Sequence, residues 1–195
     1  MKKVVLAMLL AVALVAPAFA ADKGAMELDI KAGFNLMSNV NVDSPVPGYD
    51  VDESVDPAFT AGVDFFYYVI PQLAIGAGVS YVFNSKIDDS GPGDPKIGWT
   101  NLYAQAKYVF DLGDDLFNNI YPLVQLGYSM LRLDPDDLVD SNGLYWGIGV
   151  GTTIKECVVL ELLYSNSNAT VKDAPFTSDL KYSTLQLKVG YKFAF

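Results

Sequence analysis

The chain has 195 residues, a formal charge of −10, one cysteine and no histidine. A single cysteine excludes an intramolecular disulfide, and without histidine it cannot assemble a zinc site of the usual kind. So acidic a chain also has no phosphate-neutralising face for nucleic acid, and none is expected as a partner.

The amino terminus reads Met1-Lys2-Lys3, runs apolar from Val4 to Val15, and reaches Ala18-Phe19-Ala20. A basic start, a short apolar core and small residues flanking a cleavage point make a secretory signal peptide over residues 1–20. The apolar run is shorter than the about 20 residues a membrane helix needs. Cleavage after Ala20 leaves residues 21–195 as one domain, with 11 basic against 23 acidic residues, a net of −12.

No later segment is long enough for a helical span, yet 51% of the chain is hydrophobic and 13% aromatic. Periodicity explains this. Over residues 26–38, Met26, Leu28, Ile30, Ala32, Phe34 and Leu36 alternate with Glu27, Asp29, Lys31, Gly33 and Asn35. A period of two is a strand with one apolar face. Residues 39–56 read as an acidic loop with two prolines and a glycine. The second strand, residues 57–68, sets Phe59, Ala61, Val63, Phe65 and Tyr67 against Thr60, Gly62 and Asp64. After a tight turn over 69–72, the third, residues 73–84, sets Leu73, Ile75, Ala77, Val79, Tyr81 and Phe83 against Ala74, Gly76, Gly78 and Ser80. Small residues on the second face suit a narrow barrel interior.

Residues 85–97 form a second loop. The fourth strand, about 98–110, alternates Leu102, Ala104, Ala106 and Tyr108 with Asn101, Tyr103, Gln105 and Lys107. A longer turn over 111–120 includes one helical turn near 114–117. The fifth strand, 121–131, points Val124, Leu126, Tyr128 and Met130 outward, and a third loop covers 132–142. The sixth, 143–154, sets Leu144, Trp146, Ile148 and Val150 against Tyr145, Gly147, Gly149 and Gly151. Lys155-Glu156 turns the chain into the seventh, 157–165, which carries Glu161 between Leu160 and Leu162. A fourth loop spans 166–179.

The last stretch alternates Leu185, Leu187, Val189, Tyr191, Phe193 and Phe195 with Gln186, Lys188, Gly190, Lys192 and Ala194, and stops on an aromatic. Three aromatics on an exposed strand would invite aggregation in water; facing lipid, with a polar lumen behind them, they are at home. This stretch resembles the final strand of small bacterial outer-membrane β-barrels of the OmpA/OmpX kind. The resemblance implies that Tyr191, Phe193 and Phe195 form the signal read by the barrel-insertion machinery. It also implies an outer-membrane location in a Gram-negative cell, with outer-membrane lipid and lipopolysaccharide as surroundings. The longer OmpA type carries a peptidoglycan-binding domain after the barrel; here the chain stops at the eighth strand, so peptidoglycan anchoring is not expected.

The fold class expected is all-β, an eight-stranded antiparallel up-and-down transmembrane barrel, with long acidic loops on one side and short turns on the other. Two patterns support it. Tyr81, Phe83, Trp99, Tyr128, Trp146, Tyr164 and Tyr182 gather near the outer end, and Phe65, Tyr67, Tyr108, Phe110, Tyr121, Tyr191, Phe193 and Phe195 near the periplasmic end, as two aromatic girdles would. On the polar face, Glu27, Asp29, Asp64 and Glu161 share the lumen with Lys31, Lys107, Lys188 and Lys192, four acids for four bases, which predicts ion pairs filling the bore. Glu161 is expected to pair with Lys188.

Enzymes of this architecture, among them lipid-A acyltransferases, deacylases, phospholipases and proteases, use a catalytic histidine, so the sequence excludes those mechanisms. No catalytic residue, cofactor or metal centre is assigned; Glu161 and Asp64 are the first pair for a carboxylate-only mechanism, and the lumen ion pairs account for them better. Acidic stretches Asp134–Asp140 and Asp50–Glu53 offer oxygen ligands of the type Ca²⁺ or Mg²⁺ takes, without the spacing of an EF-hand loop. Divalent cations are therefore candidate partners of the loops. Two functions remain: a plugged barrel with a structural and surface-interaction role, and a narrow channel or transporter for small or apolar solutes. A soluble lipocalin-like barrel would need the opposite polarity, apolar inside.

Overall fold

The computed structural model describes residues 23–43, 51–54, 56–86, 96–113, 116–134, 142–173 and 176–195. The expected signal, residues 1–20, lies outside them. Eight long strands close into an antiparallel barrel: β1 (Met26–Asp43), β3 (Phe59–Ile70), β4 (Leu73–Lys86), β5 (Lys96–Tyr108), β7 (Phe117–Asp134), β8 (Asn142–Ile154), β9 (Val158–Asp173) and β10 (Phe176–Ala194). Each pairs with its neighbours in chain order, and β10 returns to pair with β1. Two short strands extend the ladder: β2 (Val51–Ser54) pairs with the outer end of β1, and β6 (Phe110–Asp111) with the start of β7. No helix occurs among the described residues.

Closure follows from the medium. Hydrocarbon offers no hydrogen bonds, so a sheet crossing it can leave no open edge. The seam is the β1–β10 ladder, running from Glu27 opposite Ala194 to Asp43 opposite Asp179. Beyond its last rung, Met26 N donates to Phe195 O at 2.9 Å and Phe195 N donates to Met26 O at 3.0 Å. The terminal residue is thus bonded into the seam through its backbone.

Alternation decides the faces. Leu102, Val124, Leu126, Leu144, Ile148 and Val189 lie outside, each more than half exposed in the absence of lipid, while Asp29, Asn35, Tyr145, Val159 and Leu163 between or beside them in the sheet are fully buried inside. One irregularity shifts the phase. A bulge between Asn35 and Met37 puts Leu36 and Met37 both outside and returns Ser38 and Val40 to the interior.

The strands outrun the expected limits. Residues 39–43, 132–134, 166–173 and 176–179 belong to β1, β7, β9 and β10, and 51–54 form β2, where loops were expected. The reason is physical. An 18-residue strand rises about 60 Å, about twice the hydrocarbon thickness, so its outer part stands in water. There both faces are polar, as in Ser165-Asn-Ser-Asn168, and hydrophobic alternation vanishes while backbone pairing continues. The helical turn expected near 114–117 does not form at its end: Leu116 is a bend and Phe117 begins β7, while 114–115 lie outside the described residues.

The short-turn end is tightly tied. Lys155 and Glu156 both have positive φ, 46° and 63°, as a two-residue hairpin turn requires. Glu156 N donates to Asn118 Oδ1 at 2.6 Å and Lys155 N donates to Leu116 O at 3.0 Å, which binds this turn to the start of β7. A side chain at positive φ is strained, and glycine is not. Glu156→Gly should stabilise the barrel by about 0.5–1 kcal/mol, read as a higher urea midpoint in lipid vesicles; a lower midpoint would show that the Glu156 side chain outweighs its backbone strain.

Candidate functional site

Among the described residues, buried charge gathers in the lumen. Glu27, Asp29, Lys31, Asp64, Lys107, Glu161 and Lys188 are each at most 5% exposed, and Lys192 is half-buried. At the centre, Lys31 Nζ lies 2.6 Å from Glu161 Oε1, 2.7 Å from Asp64 Oδ2 and 3.5 Å from Asp29 Oδ2. One ammonium from β1 therefore joins carboxylates of β1, β3 and β9. Tyr103 donates to Asp64 Oδ1 at 2.9 Å, and Tyr121 donates to Glu161 Oε1 at 3.0 Å. Toward the short-turn end, Lys107 pairs with Glu27 Oε1, Tyr68 donates to Glu27 Oε2 at 2.7 Å, and the Lys107 ammonium sits 4.0 Å from the centroid of the Phe66 ring.

Toward the long-loop end the filling turns neutral. Tyr145 donates to Gln125 Oε1 at 2.7 Å, and Gln125 Nε2 donates to Gln105 Oε1 at 3.0 Å. Asn35 Nδ2 donates to the Tyr182 oxygen at 2.6 Å, Tyr182 donates to Ser38 Oγ at 3.1 Å, and Ser38 donates to Thr184 Oγ1 at 3.0 Å. An apolar cap of Val40, Ala58, Val82, Trp99, Leu131, Ala169 and Tyr182 follows, with the Trp99 and Tyr182 rings stacked 5.7 Å apart. A water-filled bore would leave these inward side chains wet; they are dry.

Small residues make room for the large ones. A Cβ on Gly78 would collide with the Asp64 carboxylate and the Tyr103 ring, and one on Gly151 with the Tyr121 ring. The partner of Glu161 differs from the expected Lys188 for a related reason. Lys188 is its register partner across the β9–β10 ladder but makes no ion pair within 4 Å among the described residues. Lys31 reaches Glu161 from two strands away because Gly190, opposite it on β10, leaves the space its stem occupies; a Cβ there would sit 2.5 Å from Lys31 Cγ. Among the described residues Lys192 also has no ion pair within 4 Å.

The girdles need correction. Trp99, Tyr121 and Tyr182 are 1–3% exposed and fill the lumen, because each falls in phase with the polar residues of its strand. Tyr81 is half-buried, and Phe193 is 7% exposed, its ring 4.8 Å from that of Tyr191. The outward aromatics are Phe34, Phe59, Phe83, Tyr128, Trp146 and Tyr164 near the long-loop end, and Phe65, Tyr67, Tyr108, Phe110, Phe117, Tyr191 and Phe195 near the other. Tyr103, Tyr145, Gln105 and Gln125 escaped the sequence reading as plug residues, although their phase with Asn101 and Lys107, or with inward glycines, carries the signal. Of the acidic stretches, residues 135–140 lie outside the described residues; among those described, no group of three His, Cys, Asp or Glu could hold a metal ion.

The sequence profile described as outer membrane protein beta-barrel domain matches residues 4–193. No curated protein matches the chain. Among solved structures, it is similar to Neisserial surface protein A (NspA; TM-score 0.53, 16% identity, 86% of this chain and 98% of that one). It is similar also to OprG from Pseudomonas aeruginosa (TM-score 0.51, 15% identity, 91% and 99%). A third is Ail, the attachment invasion locus protein of Yersinia pestis (TM-score 0.50, 18% identity, 88% and 99%). At these identities the likeness is one of fold.

Removing one partner of a buried pair typically costs about 3–5 kcal/mol. Lys31→Met should cost at least that, since three carboxylates lose their cation. In a double-mutant cycle with Glu161→Leu, the double variant should recover part of the loss, whereas Lys188→Leu with Glu161→Leu should be closer to additive. Urea unfolding in vesicles measures both cycles; stronger coupling to Lys188 would refute the assigned pairing.

Proposed function

The chain belongs to the outer membrane protein beta-barrel domain family, and on that premise we propose that it serves as a plugged barrel with a structural and surface-interaction role. In this reading residues 1–20 are removed on export and the barrel is installed in the outer membrane of a Gram-negative cell. Lipid holds its apolar outer face. The outer ends of β1, β2, β9 and β10 stand above the lipid as paired stalks and present the loops to the outside. The single observation that carries the reading is the dry lumen, in which the Lys31 ammonium and its three carboxylates occupy the centre while the Trp99–Tyr182 stack caps the outer end. An ion entering from outside meets the apolar cap first, and beyond it would have to displace a charge-assisted network in a low-dielectric bore. The names of Ail and NspA speak of attachment and of the cell surface, a class of role this geometry accommodates.

The competing reading, a narrow channel for small or apolar solutes, makes the opposite demand on the lumen. Protein extracted from outer membranes should begin at Ala21 and, in planar bilayers, give no sustained conductance steps. Steady single-channel current from the intact protein would overturn the plugged reading.

Tyr191, Phe193 and Phe195 form, in the same reading, the signal taken by the barrel-insertion machinery. Phe195→Ala keeps the backbone that bonds to Met26 and removes the ring, whose exposure of 62% leaves it little packing to lose. The variant should reduce assembled barrel in cells several-fold while refolding into detergent as the wild type does. Equal losses in the two assays would make Phe195 an ordinary packing residue.

A further inference from the structure

Lys188 is buried, and among the described residues it makes no ion pair within 4 Å. A buried charge without a partner is costly and calls for a reason. Its two register neighbours offer it one carboxylate. Across the β9–β10 ladder it faces Glu161, and across the seam it faces Gly33, which has no side chain. Glu161 is already engaged elsewhere. Its Oε1 lies 2.6 Å from Lys31 Nζ and accepts from Tyr121 at 3.0 Å, while its Oε2 accepts no hydrogen bond among the described residues.

The two lysines reach Glu161 by different routes. Lys188 is 27 positions away (188 minus 161), within the hairpin that β9 and β10 form together, whose rungs run from Val158 opposite Tyr191 to Asp173 opposite Phe176. Lys31 is 130 positions away and arrives only across the seam, over Gly190. Loop-closure cost grows with separation, and local pairings form ahead of distant ones. Before β1 meets β10, the carboxylates within reach of Lys31 are Asp29 on its own strand and Asp64 on β3. The lysine set opposite Glu161 at that stage is Lys188. Opposite charges directly across an antiparallel pair stabilise it.

We propose that Glu161 exchanges partners as the barrel closes. Lys188 holds it in the β9–β10 hairpin of the open sheet. Lys31 takes it when β1 joins β10, and Lys188 is left enclosed and unpaired in the finished barrel. The exchange favours closure because of what each lysine ties together. Lys188 links β9 only to the strand beside it, whereas the Lys31 ammonium gathers carboxylates of β1, β3 and β9 across the seam. Such a step belongs to assembly, so it goes beyond the plugged role and does not depend on it.

Urea-dependent refolding and unfolding rates of the barrel in lipid vesicles test the exchange. Lys188→Met removes a pair made in the transition state and absent from the native state. Refolding and unfolding should therefore both slow, each about two- to five-fold, with the urea midpoint unmoved. A chevron that does not shift, or a lower midpoint with faster unfolding, would overturn the proposal; the latter would make Lys188 an ordinary partner in the native state. Solid-state NMR of Lys31→Met gives a second reading. There the Lys188 Nζ resonance, assigned by its loss on adding Lys188→Arg, should be dephased by the Glu161 carboxyl carbon, assigned by its loss on adding Glu161→Leu. In the wild type that coupling should be absent. A Lys188 ammonium that stays uncoupled from Glu161 in Lys31→Met, or is already coupled to it in the wild type, would equally defeat the exchange. The two measurements use different variants, so each decides if the other variant does not fold.

Discussion

No backbone N–H or C=O can be left unpaired in hydrocarbon, and every other feature of this barrel follows from meeting that constraint with eight strands. Closure needs β10 to find β1, and the seam pairs residues at opposite ends of the chain, down to Met26 with Phe195. Closure at eight strands in turn fixes a bore just wide enough for side chains. Whatever points inward must then fill that bore without voids and without an unpaired charge.

The lumen meets the demand for volume through size complementarity and the demand for pairing only in part: Lys188 is buried without an ion pair among the described residues, and the Asp29 oxygens and Glu161 Oε2 accept no hydrogen bond there. Gly78, Gly151 and Gly190 each leave the volume taken by a larger neighbour: the Asp64–Tyr103 pair, the Tyr121 ring and the Lys31 stem. Lys31 can add Glu161 to Asp29 and Asp64 because Gly190 leaves room for its side chain to cross β10. Tyr103 and Tyr68 then satisfy the oxygens of Asp64 and Glu27 that the lysines do not reach, while Tyr121 shares Glu161 Oε1 with Lys31. Polar groups in such a network stiffen the barrel when satisfied and cost heavily when one is removed. In the plugged reading proposed above, the same filling is what denies solutes a path.

Much of this was legible in the sequence, because a period of two is unambiguous wherever one face meets lipid. Strand number, order and facing could be read from residues such as Leu144, Trp146, Ile148 and Val150 set against Tyr145, Gly147, Gly149 and Gly151. Two things were not legible, for different reasons. Beyond Ser165 the inward positions turn small, as Ser167 and Ala169 do, so residues 166–169 carried no hydrophobic alternation to extend the seventh predicted strand to the full length of β9. Inside the bore, aromatic residues were judged by type and not by phase, which sent Trp99, Tyr121 and Tyr182 to the girdles although each alternates with outward residues. The partner of Glu161 was hidden more deeply: register names Lys188, and only the side-chain path over Gly190 names Lys31.

The central claim is that Lys31 holds the lumen shut by binding Asp64 and Glu161 at once. Solid-state NMR of the barrel in lipid bilayers, labelled with ¹⁵N at lysine and ¹³C at the aspartate and glutamate carboxyls, measures this directly. The Lys31 Nζ resonance, assigned by its loss in Lys31→Met, should be dephased strongly by both carboxyl carbons, at separations set by Nζ–oxygen distances of 2.7 and 2.6 Å, and should exchange slowly with water. A Lys31 ammonium that exchanges freely and shows no coupling to either carboxylate would mean an open, hydrated bore and would contradict the account.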